Sequence, residues 1–119
     1  MPARFLSGPV QASWCDDGRA MRLIMDVVFE DSYSITWTAP AGSRVDGASI
    51  PRIFWRVIGG PLTGRYRRAS VVHDVFCMTK DRPHRMVHRM FWEAMRADGV
   101  GRIKARTMYW AVRAFGPKW

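Results

Sequence analysis

Apolar side chains change their period once along this chain, at the turn Asp46-Gly47-Ala48-Ser49-Ile50-Pro51. Upstream of it, Met21, Leu23, Met25, Val27 and Phe29 alternate with Arg22, Ile24, Asp26, Val28 and Glu30, the period of a strand with one buried face. Glu30-Asp31-Ser32 turns the chain into Tyr33, Ile35 and Trp37, which alternate with Ser34, Thr36 and Thr38; the two runs predict a hairpin. An earlier strand near Val10 to Trp14 joins it, and Ala39-Pro40-Ala41-Gly42 ends the sheet. Downstream the period is helical. Ser49 caps a short helix with Pro51 at its second position and Ile53, Phe54, Val57 and Ile58 on its apolar side; Gly59-Gly60-Pro61 stops it. A second helix from Tyr66 to Thr79 places Ala69, Val72, His73 and Phe76 on one stripe. A third runs from Asp81, its N-cap, with Pro83 in the first turn, to Asp98-Gly99, and directs His84, His88, Phe91 and Met95 inward. A fourth, about Arg102 to Phe115, buries Ile103, Met108, Val112 and Phe115 or close neighbours before Gly116-Pro117 terminates it.

A period of two followed by one of 3.6 predicts an α+β fold: a small N-terminal antiparallel sheet of two or three strands within residues 1–40, packed against three or four C-terminal helices within residues 49–115. With 119 residues there is room for one core, so residues 1–119 form a single domain. No apolar run approaches the roughly eighteen residues of a membrane span. The opening Met-Pro-Ala-Arg-Phe-Leu-Ser-Gly has no long apolar core and no clear cleavage site, so no secretory signal is expected. Cys15 and Cys77, with no C-x-x-C spacing, read as free thiols of a reducing compartment.

Charge is divided unevenly. Residues 1–46 carry a net −2 and residues 47–119 a net +11, and sixteen of the nineteen cations are Arg, whose fork suits phosphate and carboxylate. A nucleic acid, an anionic cell-wall polymer or an acidic protein neighbour each suits such a half, as does a simple solvated basic surface. No helix shows a recognition-helix signature or an aromatic platform with interleaved cations, which puts nucleic acid last among these partners.

Two segments carry chemistry. Asp46-Gly47-Ala48-Ser49 is a turn of small residues that can approach a helix closely, and His73-Asp74 sits inside an apolar helical run, where an imidazole needs a polar partner, a metal or a substrate. His73 and His88 on facing helical stripes and Asp46 from the loop make a two-histidine, one-carboxylate set suited to a divalent metal, Zn²⁺ above all, with an open position for water. Without a metal, His73 is a general base for water or for Ser49, oriented by Asp46 or Asp74. The plainer alternative is a core histidine bonded to Asp46 or to a backbone carbonyl, which fixes the loop on the second helix. His73-Asp74 with Phe76 is also similar to the His-Asp-x-x-Tyr helix of secreted phospholipases A2, although their disulfide framework and Gly-rich calcium loop are missing. Neighbouring side chains on a helix diverge by about 100°, which turns Asp74 away from the site of His73 and toward capping or pairing with Arg67, Arg68 or neighbours near Met78.

Asp46-Gly47-Ala48-Ser49-Ile50-Pro51, Gly64-Arg65-Tyr66, Ala69 through His73-Asp74, Phe91-Trp92-Glu93-Ala94-Met95 with Gly99-Val100, and Met108-Tyr109, Ala111-Val112-Arg113 and Phe115-Gly116 follow one another here. In these segments the chain resembles the small phage and prophage family catalogued as domain of unknown function 1353. The resemblance implies a tailed-phage or prophage origin, a small α+β domain, and a site at the Asp-Gly-Ala-Ser and His-Asp segments. The family pattern usually has an Asp where this chain has His88, a change that keeps a metal ligand but alters its charge and softness. With such an origin the protein acts in the virion or the host cytoplasm. Its function is then either a small metal-dependent hydrolase acting on the bacterial cell wall at entry or lysis, with peptidoglycan as partner, or a non-enzymatic virion component of the tail or tail tip, with other virion proteins as partners.

Overall fold

The computed structural model describes residues 2–58 and 64–119. Six short strands come first: β1 (Arg4–Phe5), β2 (Ala12–Trp14), β3 (Met21–Leu23), β4 (Val27–Glu30), β5 (Thr36–Ala39) and β6 (Arg44–Val45). They form two antiparallel three-stranded sheets, ordered β1-β4-β5 and β2-β3-β6. A 3-10 turn (Arg52–Phe54) runs into the one-turn helix α1 (Trp55–Ile58), and a second 3-10 turn (Gly64–Tyr66) leads into α2 (Arg67–Thr79). Helices α3 (His84–Ala97) and α4 (Arg102–Phe115) follow. The fold is α+β in the expected order, sheets before helices. The Gly59-Gly60-Pro61 helix stop lies outside the described residues.

The alternating run from Met21 to Phe29 is two strands in two sheets. Met21, Leu23, Val27 and Phe29 are buried as the pattern requires, but Met25 is exposed where the chain crosses from one sheet to the other. The side chain of Asp26 accepts the Ala41 amide at this crossing and so joins the two sheets. The strand near Val10 to Trp14 pairs with β3 and not with the hairpin. The hairpin itself pairs Val27 with Ala39 and Glu30 with Thr36. Its turn is longer than alternation suggests, because buried Asp31 accepts the Tyr33 and Ile35 amides and the Trp37 indole N–H, each at 2.9 Å, and so coils residues 31–35 around its carboxylate.

Helix α2 is the central element, buried from Ala69 to Cys77. It packs on β4, β5 and β6 on one side and on α3 on the other, while α3 also meets α4 and β1. Trp37 of β5 meets Phe76 of α2 edge-on, with centroids 4.9 Å apart. Three helix details differ from expectation. The 3-10 turn Arg52–Phe54 has Pro51 at its N-cap position with no side-chain cap, so Ser49 does not cap it, and Ile53 is 78% exposed. Helix α3 begins at His84 with extended Pro83 at the N-cap position, so Asp81 is not the cap. Helix α4 turns Ala105, Met108, Ala111 and Val112 inward, whereas Ile103 and Phe115 stand out in solvent at 84% and 73% exposure. Ala105 and Ala111 give α4 a small-residue face toward the core, and Ile103 and Phe115 fall beside it.

Candidate functional site

The site is made where the Asp46–Ile50 loop, α2, α3 and the segment after α4 meet. Gly47 lies at φ 75°, in the left-handed region that a side chain disfavours, and this lets the Ile50 amide close a turn onto the Gly47 carbonyl. The turn is held from below by Asp74. Its carboxylate accepts the backbone N–H of Asp46 at 3.0 Å and of Ser49 at 3.3 Å. Burial raises the Asp74 pKa, against the lowering effect of those amides. Asp74 therefore serves the loop and does not pair with Arg67 or Arg68, as the angular argument suggested: Arg68 pairs with Asp98. The helix directs Asp74 to the backbone at both ends of the loop, Asp46 and Ser49, and His73 to the Ser49 hydroxyl.

His73 is fully buried and stacks on Phe91 with centroids 4.4 Å apart. Its Nδ1 lies 3.0 Å from Ser49 Oγ, and its Nε2 lies 2.9 Å from His88 Nδ1. His88 Nε2 in turn lies 3.0 Å from the Pro117 carbonyl. That last partner fixes every proton in the array, because a carbonyl can only accept. His88 donates from Nε2, so in the neutral ring its Nδ1 accepts. His73 then donates from Nε2 and accepts at Nδ1, and the Ser49 hydroxyl donates to it. Burial, with His88 adding to it, pushes the His73 pKa well below the ordinary imidazole value of 6.5, and burial lowers that of His88 too. Both rings are neutral at pH 7.

Of the residues singled out in the sequence, Ser49, His73 and His88 come together and Asp46 does not join them. The Asp46 carboxylate accepts the Ala48 amide at 2.9 Å and faces Arg44 at 3.7 Å, outside the array. The short link from Asp46 to Ala48 makes a local turn bond available that a distant imidazole does not displace. Its place beside the histidines is taken by Cys77, whose Sγ lies 3.6 Å from His73 Nε2. His73, Cys77 and His88 offer ligand atoms within 4.8 Å of one another and could hold a metal ion. The sulfur-to-nitrogen distance matches tetrahedral zinc, but that geometry separates two ligand nitrogens by roughly 3.3 Å, so the imidazoles would part slightly to admit the ion. The thiol, pushed up to about 12 chiefly by burial, would have to lose its proton to bind. Cys77 was legible in the sequence only through its spacing of four from His73, which puts both on one helix face.

The segment after α4 is held by the same helix. His84 Nδ1 meets the Trp119 carbonyl at 2.9 Å, and the Trp119 indole donates to the Arg82 carbonyl at 2.7 Å. Cys15 and Cys77 are both free thiols, and among the described residues no helix is long and apolar enough to cross a membrane.

Residues 21–112 match the family model described as "Protein of unknown function (DUF1353)". Two proteins of Sinorhizobium fredii (strain NBRC 101917 / NGR234) are similar to this chain. "Uncharacterized protein y4jT" is 49% identical over 116 residues, which are 97% of this chain and 34% of the relative. "Uncharacterized protein y4iH" is 36% identical over 94 residues, 79% of this chain and 39% of the relative. The chain thus spans little more than a third of the length of these two relatives. No solved structure matches it.

Proposed function

We propose, for a chain that belongs to the DUF1353 family, a small hydrolase whose working centre is Ser49, His73 and His88. The observation that carries this reading is the hydrogen-bonded order Ser49 Oγ, His73 and His88, with separations of 3.0 and 2.9 Å. A nucleophile, a base and a third group that orients the base are the parts of a triad. His73 Nδ1 takes the hydroxyl proton as Ser49 Oγ attacks an electrophilic carbon. The imidazolium so formed keeps its Nε2–H on His88, and His73 returns the other proton to the leaving group. The depressed pKa of His73 keeps the neutral base available at pH 7. Asp74 is a positioning residue, since it holds the amide of Ser49. Ser49 itself is 4% exposed and is followed in the chain by buried Ile50, so substrate would have to enter from the side of exposed Ala48 as the loop opens. The basic residues 47–119, net +11, favour an anionic substrate such as the bacterial cell wall, and the family resemblance supports a phage or prophage origin with action from the virion or the host cytoplasm.

The test is covalent labelling. A fluorophosphonate should modify Ser49 in the wild type and not in Ser49→Ala or His73→Gln, and purified peptidoglycan should be cleaved by the wild type alone. No labelling and no cleavage, with the protein found in stoichiometric amounts in purified particles, would instead make it a non-enzymatic component of the tail or tail tip.

A second reading is favoured by the convergence of Cys77 with the two histidines. There His73, Cys77 and His88 would hold a divalent metal, zinc being the best match for that donor set, which polarises a bound water toward hydroxide. Elemental analysis separates the two: near-stoichiometric zinc that is lost in Cys77→Ser and His88→Ala supports the metal.

A further inference from the structure

The outward side of the α3–α4 pair carries a groove that the reading of His73 does not use. Arg89, Trp92 and Arg96 recur at spacings of three and four on α3; Arg102, Arg106, Tyr109 and Arg113 recur at four, three and four on α4. Two clefts lie between these stripes. One, of about 550 Å³, is lined by Trp92, Arg96, Arg102, Ile103 and Arg106. The other, of about 410 Å³, is lined by Arg89, Trp92, Arg106, Tyr109 and Trp110. Trp92 and Arg106 line both, so the clefts are adjacent.

The groove is cationic and aromatic at once. Among the described residues, Arg96, Arg102, Arg106 and Arg113 have no carboxylate partner, and α4 contains no acid. Trp110 is 56% exposed, and Arg113 lies over it and over Tyr109 at 5.4 and 5.7 Å. Tyr109 and Trp110 meet edge to face at 5.6 Å. Arg96 donates to the Val100 carbonyl at 2.7 Å, but guanidinium forks free of carboxylates suit phosphodiester oxygens, and an exposed indole suits planar rings free of a duplex. Phosphates and unstacked bases occur together in one class of polymer.

We propose that the α3–α4 groove binds single-stranded nucleic acid, with Arg96, Arg102 and Arg106 on the backbone and Trp92 and Trp110 under the bases. The inference is independent of the hydrolase reading. The sequence carries a cation-ring-cation stripe on each helix, Arg89-Trp92-Arg96 and Arg106-Tyr109-Arg113, but does not show that the two stripes face one groove.

The experiment is fluorescence anisotropy of the whole chain with a labelled oligothymidine of about 12 nucleotides, long enough for one such groove, at several salt concentrations. Binding should quench the intrinsic Trp emission. Trp110→Ala, an exposed position, should weaken binding about 5- to 150-fold, the range set by stacking. Arg106→Gln should lower the slope of log affinity against log salt by about 0.7, one phosphate contact. Inorganic polyphosphate of equal charge and duplex DNA should compete poorly. The proposal is overturned if polyphosphate or duplex competes as well as the oligothymidine, if wild-type Trp emission is unchanged on binding, or if no binding occurs at low salt. Equal affinity of a folded Trp110→Ala variant overturns it as well.

Discussion

At the scale of single residues, His73 decides more than any other position. Its Nδ1 faces Ser49 and its Nε2 faces His88, with the Cys77 sulfur beside both, and the tautomer is dictated two hydrogen bonds away by the Pro117 carbonyl. Ser49→Ala removes the donor to Nδ1 and should lower stability by about 1–3 kcal/mol, the range for a buried group left without its partner; chemical denaturation checks it. The same burial sets a pH dependence. With the folded pKa depressed below 6.5, the unfolded chain binds the proton first as pH falls, so stability is intact above about pH 6.5 and declines below it. The slope should approach about 1.4 kcal/mol per pH unit from His73. Melting at pH 7.5 and pH 5.5 should show the loss in the wild type and a smaller one in His73→Gln. The sequence made His73, His88 and Ser49 legible, because polar groups in an apolar helical run and a small-residue turn are conspicuous. Asp46 was misplaced, since nothing in its spacing distinguishes a carboxylate that caps its own turn from one that reaches across. Cys77 read only as a free thiol, and its spacing of four from His73 was the one sign that it shares that face.

Among elements, the junction after α4 transmits the most. A Cβ on Gly116 would come within 2.5 Å of the Val112 carbonyl, so any side chain there must push the following segment away from the helix. That segment brings the Pro117 carbonyl to His88 and the Trp119 ring to Arg82. Gly116→Ala should therefore lower the Tm, by an amount comparable to loss of the His88 bond, about 1–3 kcal/mol, and shift the Trp emission toward longer wavelength as Trp119 becomes exposed. Elements themselves were readable where the period was sustained: the bounds Arg102–Phe115 follow from the pattern directly. Faces were less so. In α4 the inward side is set by alanines, which carry little weight in a hydrophobic pattern beside Ile103 and Phe115. The β3–β4 break was hidden because buried Met21, Leu23, Val27 and Phe29 keep phase across it.

For the whole molecule, the two sheets and three long helices draw on one core, with Trp37, Val45, Ile50, Val72 and Phe91 in a single buried cluster. Unfolding should then be one cooperative transition, coincident by far-ultraviolet circular dichroism and by Trp fluorescence; two separated transitions would mean that sheets and helices fold apart. Connectivity also has a temporal side. The four members of the histidine array occupy positions 49, 73, 88 and 117, and a ribosome delivers them in that order. Until residue 117 has been added, the outer nitrogen of His88 has nothing to choose its proton for it, and the nascent chain carries two imidazoles whose hydrogens are free to exchange places. The last peptide bonds made near this site thus select, retroactively, the protonation pattern of side chains translated long before them.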